Sequence, residues 1–523
     1  MNLLTAVIFL PMAGFLLTLP LPRENHKFIR YFTLAFSLVT FVISLFLIPG
    51  VPFGARPAGS GFSFDVNAAW INVPPIRYHV GIDGISLWLV ILTTLLTPIC
   101  VLISWAHVHK HEKAFHLSLL LLEFGLVGVF CSLDLFLFFV FWEVCLVPMY
   151  FIIGIWGHDR RIYAALKFFV YTMAGSMLLL VAIIFLYNKT GTFDYADILA
   201  ATQKGVLTYR EEALLFLGFF IAFAIKVPMF PLHTWLPDAH VEAPAAGSVM
   251  LASVMLKMGT YGLLRFCLPL FPTAAHDNAG WISALAITGI IYGALVAMVQ
   301  PNMKKVVAYS SVSHLGFVVL GLFTFTQQGL DGAVYQMLNH GVSTGALFIL
   351  VGFLYERRHS LEIKDYGGVA TRAPHLATIF MITMLASIGL PTLNNFVGEY
   401  LVLQGAALVH FRLAVFASIG VILSACYMLW LYQRVFYGRA SESLMHHLPD
   451  LGTRDYWSIV PLIVLMVWMG VYSESFMPPI SAANAAALPG IGAKKEMHVR
   501  NLQDRQYRPD SLASLREFFH ADR

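Results

Sequence analysis

Charge is scarce in this chain. Of 523 residues, only 12% are Asp, Glu, Lys or Arg, about half the share of a typical soluble domain. The net charge of +4 is small and spread along the chain. No basic block with interleaved aromatics marks a nucleic-acid partner. Cysteine is scarce too. Cys100, Cys131, Cys145, Cys267 and Cys426 form no C-x-x-C pair, and most lie in apolar runs. That speaks against zinc or iron–sulfur ligation and for buried thiols acting as small hydrophobes. Phosphate-cradling loops are missing: there is no G-x-x-x-x-G-K-[ST], and no G-x-G-x-x-G follows a strand. The opening run "MNLLTAVIFLPMAGFLLTLPLP" lacks a charged n-region and a clear A-x-A site. It reads as a first membrane span, not a cleaved signal.

What abounds is apolar sequence, 58% of the chain. A helix needs about 20 apolar residues to cross the hydrocarbon core, and by that ruler the chain holds about 14 spans. The expected fold is an all-α polytopic membrane protein. The spans divide into 1–112 (spans 1–3), 113–270 (spans 4–8), 271–440 (spans 9–13), 441–484 (span 14) and a polar tail, 485–523. Lys and Arg crowd the odd-numbered loops, as at Arg23, Lys110, Arg160, Arg161, Lys304, Arg357 and Arg358. The positive-inside rule then puts the N-terminus outside.

Two stretches resemble each other, "AALKFFVYTMAGSMLLLVAIIFLYNKTG" and "GAVYQMLNHGVSTGALFILVGFLYERR". The register that pairs Tyr187 with Tyr355 also pairs Phe185 with Phe353 and Ala165 with Ala333. They fall in spans six and eleven, an odd number apart, so the second copy enters the membrane upside down. Spans 4–8 and 9–13 are therefore expected as two inverted five-helix repeats, the plan of many transporters. Span seven carries "KVPMFPLHTWLP" and span twelve "SIGLPTLNNFVGEY". Each has a proline near its middle, which removes a backbone donor and frees a carbonyl. Packing kinks would explain either alone. Two at corresponding positions point to broken helices lining a cavity.

Ionisable residues lie deep in these runs: Glu143, Lys226, Lys257, His314, His340 and Glu399, with Glu123 as a secondary candidate. Each costs at least about 2.5–3.5 kcal/mol at the bilayer centre and is a functional candidate by default. Lys226 lies roughly ten residues from either end of its run, too far for its stem to reach water. Glu143 could simply neutralise a lysine, and the histidines could be satisfied core residues or joint axial ligands of a haem. Asp83 and Asp134 read as helix N-caps, and Asp238 and Glu242 as solvated residues of the loop after span seven. Burial draws lysine and glutamate toward titration near neutrality, where histidine already titrates. A row of Glu, Lys, Lys, His and Glu therefore suits a proton relay.

The quoted motifs carry a family resemblance. "FWEVCLVPMYFIIGIWG", "KVPMFPLHTWLPDAHVEAP", "VMLKMGTYGLLR", "AYSSVSHLGF" and "GLPTLNNFVGEY" resemble an antiporter-like subunit of respiratory complex I. The resemblance covers nearly all of the spans. Glu399, where the L-type and N-type siblings usually carry Lys, is similar to the M-type. The resemblance implies an ion pair of Glu143 and Lys226 at the entry, Lys257 as central relay, His314 and His340 passing the proton on, and Glu399 releasing it. It implies no cofactor in this chain, with FMN, iron–sulfur clusters and quinone in partner subunits. The implied partners are other complex I subunits, notably the L-type and N-type neighbours, and membrane lipids. The implied location is a bacterial inner membrane. One departure stands out: Lys226 lies two residues before Pro228, whereas Glu399 lies eight after Pro391. A subunit of a multi-subunit sodium/proton antiporter is the alternative.

Overall fold

The computed structural model describes residues 2–52, 61–105, 108–438 and 448–492. Among them, eleven helices are long and apolar enough to cross a membrane. In chain order the helices are α1 (Leu3–Thr18), α2 (His26–Leu45), α3 (Gly84–Ser104), α4 (Glu112–Cys131), α5 (Leu135–Trp156), α6 (Arg161–Thr190), α7 (Tyr195–Gln203), α8 (Tyr209–Lys226) and α9 (Trp235–Glu242). There follow α10 (Ala245–Leu270), α11 (Pro272–Met298), α12 (Met303–Leu322), α13 (Gln327–Arg358), α14 (Pro374–Ser387), α15 (Asn394–Val409), α16 (Phe411–Phe436), α17 (Thr453–Val471) and α18 (Met477–Gly492). The helices α10 and α13 are buried throughout their apolar windows and form the centre of the bundle, while α2, α16 and α17 are largely exposed on its perimeter.

An antiparallel hairpin, β1 (Ser63–Ile71) and β2 (Ile76–Ile82), interrupts the helices. The hydropathy reading missed it because it lies between spans. His79 of β2 accepts from Leu133 N through its carbonyl at 2.8 Å, which ties the hairpin to the start of α5. The expected tail also begins later than its boundary. The Ala-rich stretch after Met477 continues as α18, in keeping with the high helix propensity of alanine. The rest of that tail lies outside the described residues.

Both aspartates read as N-caps, Asp83 and Asp134, start helices. Asp134 accepts from Phe136 N and Leu137 N, and Asp83 forms a capping box with Ser86. Asp238 and Glu242, in contrast, lie on the short helix α9 and not in a loop. Asp238 pairs with Lys167 at 2.7 Å, and Glu242 accepts from Arg160 N at 2.9 Å.

Two short bridges recur. On the hairpin side, Leu135 N donates to Phe193 O and Tyr195 N to Leu133 O. On the other side, Met303 N donates to Leu361 O and Ile363 N to Pro301 O. The register that pairs Tyr187 with Tyr355 maps one bridge onto the other. It also maps the left-handed cap after α6, Gly191 N to Tyr187 O, onto that after α13, His359 N to Tyr355 O, both at 2.7 Å.

Candidate proton-relay site

Both expected breaks are present, and each frees carbonyls by the same geometry. After α8, Val227 N reaches Phe223 O at 2.8 Å and Met229 N skips back to Ala224 O at 2.9 Å. Pro228 between them has no N–H to give. The next carbonyl, Ile225 O, accepts from the indole of Trp235 at 2.9 Å, so the side chain opening α9 replaces a lost backbone donor. After α14, Ile388 N reaches Met384 O and Leu390 N skips back to Leu385 O. Superposing these two turns puts Ser387 opposite Lys226 and Asp238 opposite Glu399. The lysine precedes its break and the glutamate follows its own, so the two charges are not symmetry equivalents.

Lys226 is the last residue of α8 and is 1% exposed. Its Nζ has no hydrogen-bond partner among the described residues. It sits 5.2 Å from the centroid of the Trp142 ring and 5.6 Å from that of Phe168. Such cation–π contacts offset part of the desolvation of a buried ammonium. Glu143, the residue after Trp142 on α5, is half-buried. It lies within electrostatic range of Lys226, but its Oε1 has no hydrogen-bond partner either. No direct hydrogen bond joins the two.

The other four residues form a line. Lys257 Nζ lies 2.5 Å from His340 Nδ1 and donates to Ala252 O at 2.6 Å. Ala252 belongs to a π-helical stretch of α10, Leu251–Met255. A π turn spoils the regular i→i−4 ladder, which leaves a carbonyl for the lysine. The rings of His340 and His314 are 6.0 Å apart. His314 Nδ1 meets Glu399 Oε1 at 3.0 Å, and the same oxygen accepts from Gln336 Nε2 at 3.2 Å. Asn339 Nδ2 in turn holds Gln336 Oε1 at 3.1 Å. All are buried. Helices α10, α12, α13 and α15 each contribute one titratable group. Glu123 stands apart on α4, near Thr97 and Cys100 of α3.

Three buried groups were not among the site candidates read from the sequence, Lys304 having counted there only as a loop charge. His240, on α9, stacks on Phe348 at 4.5 Å, and neither ring nitrogen has a hydrogen-bond partner among the described residues. It lies within electrostatic range of both Lys257 and Lys304. Lys304 opens α12, is 2% exposed, and donates to Ala243 O at 2.6 Å. It lines a cavity of about 400 Å³ with Lys110, His158, Arg161 and Tyr355, which gathers the odd-numbered loops on one face. The third is Arg265, paired with Asp83 at 2.6 Å. His240 and Lys304 carried a usable signal, since each borders an apolar run. The Arg265 pairing carried none, because its partner is distant in sequence. Among the described residues, no group of three His, Cys, Asp or Glu could hold a metal ion.

A buried file of titratable groups, threaded between broken helices of a polytopic bundle, defines an antiporter-like ion carrier. The NADH:quinone oxidoreductase/Mrp antiporter transmembrane family matches residues 132–424. The chain is 44% identical over 484 residues to NADH-quinone oxidoreductase subunit M of Rhodobacter capsulatus, covering 90% of this chain and 93% of that one. Its fold matches a chain of respiratory complex I from Thermus thermophilus with bound NADH, at a TM-score of 0.83 and 32% identity, covering 93% and 99% of the two chains. A chain of the Mrp complex from Dietzia sp. DQ12-45-1b matches at a TM-score of 0.80 but only 20% identity, covering 94% and 100%, a likeness of fold alone. This chain belongs to the antiporter-like membrane subunits of NADH:quinone oxidoreductase, in their M type.

Proposed function

We propose that this chain moves protons through Glu143, Lys226, Lys257, His340, His314 and Glu399, driven by electron transfer in neighbouring subunits. The observation that carries the reading is the file from Lys257 through His340 and His314 to Glu399. Each residue can hold or release a proton, and each lies on a different helix. Lys226 and Glu143 form the entry pair, within electrostatic range of one another and without a direct hydrogen bond. The matching bridges and caps support two inverted repeats, α4 to α10 and α11 to α16, within 14 spans in which α8–α9 and α14–α15 each count as one broken span. The clustering of Lys110, Arg161 and Lys304 on one cavity supports a cytoplasmic face there and a periplasmic N-terminus in a bacterial inner membrane. L-type and N-type subunits are the neighbours this reading calls for.

The test is proton uptake by reconstituted complex during NADH oxidation. Lys226→Ala and Glu143→Gln each lose proton translocation attributable to this subunit. Full translocation in both variants removes the entry roles. Co-purification with flavin and iron–sulfur subunits separates this reading from a sodium/proton antiporter subunit, which would bring neither.

A further inference from the structure

The cavity beside Lys304 has no part in the relay. It lies where α3 and α5 end and where α6, α10 and α12 begin, and its volume is about 400 Å³. Three fixed cations reach its wall from separate segments: Lys110 from the loop between α3 and α4, Arg161 from the start of α6, and Lys304 from the start of α12. None of the three has an ion-pair partner among the described residues. Elsewhere the chain pairs its half-buried and buried arginines closely. Arg30, Arg265 and Arg357 each meet a carboxylate at 2.7 Å or less. Glu356 shares the cavity wall, but Arg454 engages it at 3.0 Å. Glu242, within electrostatic range of Lys304, accepts from Arg160 N. Lys304 is 2% exposed and spends one donor on Ala243 O, leaving two. A cleft lined by one sign of charge between apolar walls focuses its field on an opposite charge.

Three features suit a phosphate on a lipid. The helix α10 starts here without a side-chain cap, and Ala245 and Ala246 of its first turn are on the wall. A helix start offers unsatisfied N–H groups and partial positive charge, which favour an anion. The planar fork of Arg161 matches two phosphate oxygens at once, and its only printed-length contact is a long one, 3.5 Å to His158 O. The remaining wall is apolar and reaches the outside of the bundle. Ile103 and Ile155 line it, and Ile155 is 42% exposed on α5. Basic pockets between transmembrane helices on the cytoplasmic side hold anionic lipid headgroups.

We propose that this cavity binds the phosphate of an anionic phospholipid, held by Lys110, Arg161 and Lys304, with the acyl chains leaving past Ile155. The site stands whether or not the relay reading holds, since none of the three cations belongs to the relay. A free phosphate ion shares the chemistry of the headgroup, and the experiment separates the two.

The test uses the whole complex in phosphatidylcholine proteoliposomes. The probe is a trace of phosphatidylglycerol with a photoreactive diazirine high on one acyl chain. Labelled peptides are identified by mass spectrometry. Label is expected around Ile155 and Ile103, and the same diazirine on phosphatidylcholine should label there at least tenfold less. Lys110→Gln and Arg161→Gln should each lower the phosphatidylglycerol label about fivefold, the worth of one basic side chain near a membrane surface. Both residues are exposed, so these variants should assemble. Lys304→Gln keeps a donor for Ala243 O and should act alike; if it fails to assemble, the other two decide. The phosphatidylcholine label should not change in any of them, whereas a merely structural disturbance would lower both labels together. Unlabelled phosphatidylglycerol should displace the probe, and millimolar inorganic phosphate should not. Displacement by inorganic phosphate overturns the lipid and assigns the site to the free ion. Equal labelling by the two lipids, or variants that label as the unaltered complex does, overturns the site.

Discussion

Lys257 Nζ stands 2.5 Å from His340 Nδ1, with Ala252 O as its second acceptor at 2.6 Å. When Lys257 is protonated, its ammonium has only donors, so Nδ1 accepts and the neutral ring carries its proton on Nε2. That nitrogen has no hydrogen-bond partner among the described residues, and neither has Nε2 of His314, whose ring is 6.0 Å away. A proton given by Lys257 to Nδ1 therefore leaves the ring at its other nitrogen. His340→Ala should stop proton translocation. It also leaves the lysine short of an acceptor, which costs about 1–3 kcal/mol. Proton uptake reports the first effect, and faster amide exchange along α10 the second. Undiminished proton translocation counts against the file.

Trp235 answers a different question, whether the first break is held or merely tolerated. Its indole is the donor that Ile225 O would otherwise lack. Trp235→Phe keeps the ring, removes the N–H and leaves a buried carbonyl unpaired, at a cost of about 1–3 kcal/mol. The expected result is a lower unfolding temperature and reduced pumping, because Lys226 immediately follows Ile225. A variant that pumps normally at unchanged stability shows that the break holds itself.

How much of this was legible in the sequence depends on the length scale of the signal. Most of the spans were, eleven helices among the described residues being long and apolar enough to cross where about 14 were expected, because a run of apolar residues is a local pattern that lipid demands. Both breaks were, because proline advertises the missing donor. Glu143, Lys226, Lys257, His314, His340 and Glu399 stood out because charge in such runs is rare. Their order in space was not legible. Lys226 and Glu399 already stood at unequal offsets from their prolines, and the turns at the breaks pair Lys226 with Ser387. Equally illegible was that Lys226 lies over the rings of Trp142 and Phe168. The hairpin was missed because a reading by span length passes over what lies between spans. His79, which holds it, is an ordinary loop histidine until Asp194 arrives from more than a hundred residues away.

That histidine makes the hairpin's docking depend on pH. His79 Nδ1 bonds Asp194, and Nε2 lies 3.0 Å from Asp65 Oδ1. Burial alone would lower the His79 pKa, but Asp194 and Asp65 outweigh it and raise the value above the usual 6.5. Burial would raise the Asp194 pKa, but His79 and the backbone N–H groups of Asp197 and Ala196 outweigh that and hold it below the usual 3.8. Stability linked to His79 is fully present below its unfolded pKa and is lost as pH rises through its raised folded pKa. Stability linked to Asp194 is present above its unfolded pKa and is lost as pH falls through its depressed folded pKa. Amide protection in the hairpin, after correction for intrinsic exchange, should therefore peak from about pH 4 to 6.5 and decline on the alkaline side. His79→Gln should flatten that alkaline decline. An unchanged profile in the variant shows that the docking owes nothing to this charge.

Gly389 tests the second break against the site it serves. Its φ of +76° is left-handed, and an added Cβ would lie 2.9 Å from Glu399 Oε2. Gly389→Ala thus meets two penalties. The backbone term is about 1–2 kcal/mol for an L-residue in this conformation. The second acts on Glu399, which must shift and so loosens its 3.0 Å contact with His314. Gly205 provides the control. Its φ is +82°, and a Cβ there meets nothing within 4 Å. Gly205→Ala should lower the unfolding temperature by a similar amount and leave pumping intact, while Gly389→Ala should lose pumping as well. Equal pumping in the two variants would mean that backbone strain alone is felt at the second break, and that the position of the Glu399 carboxylate against His314 is not what carries the proton out.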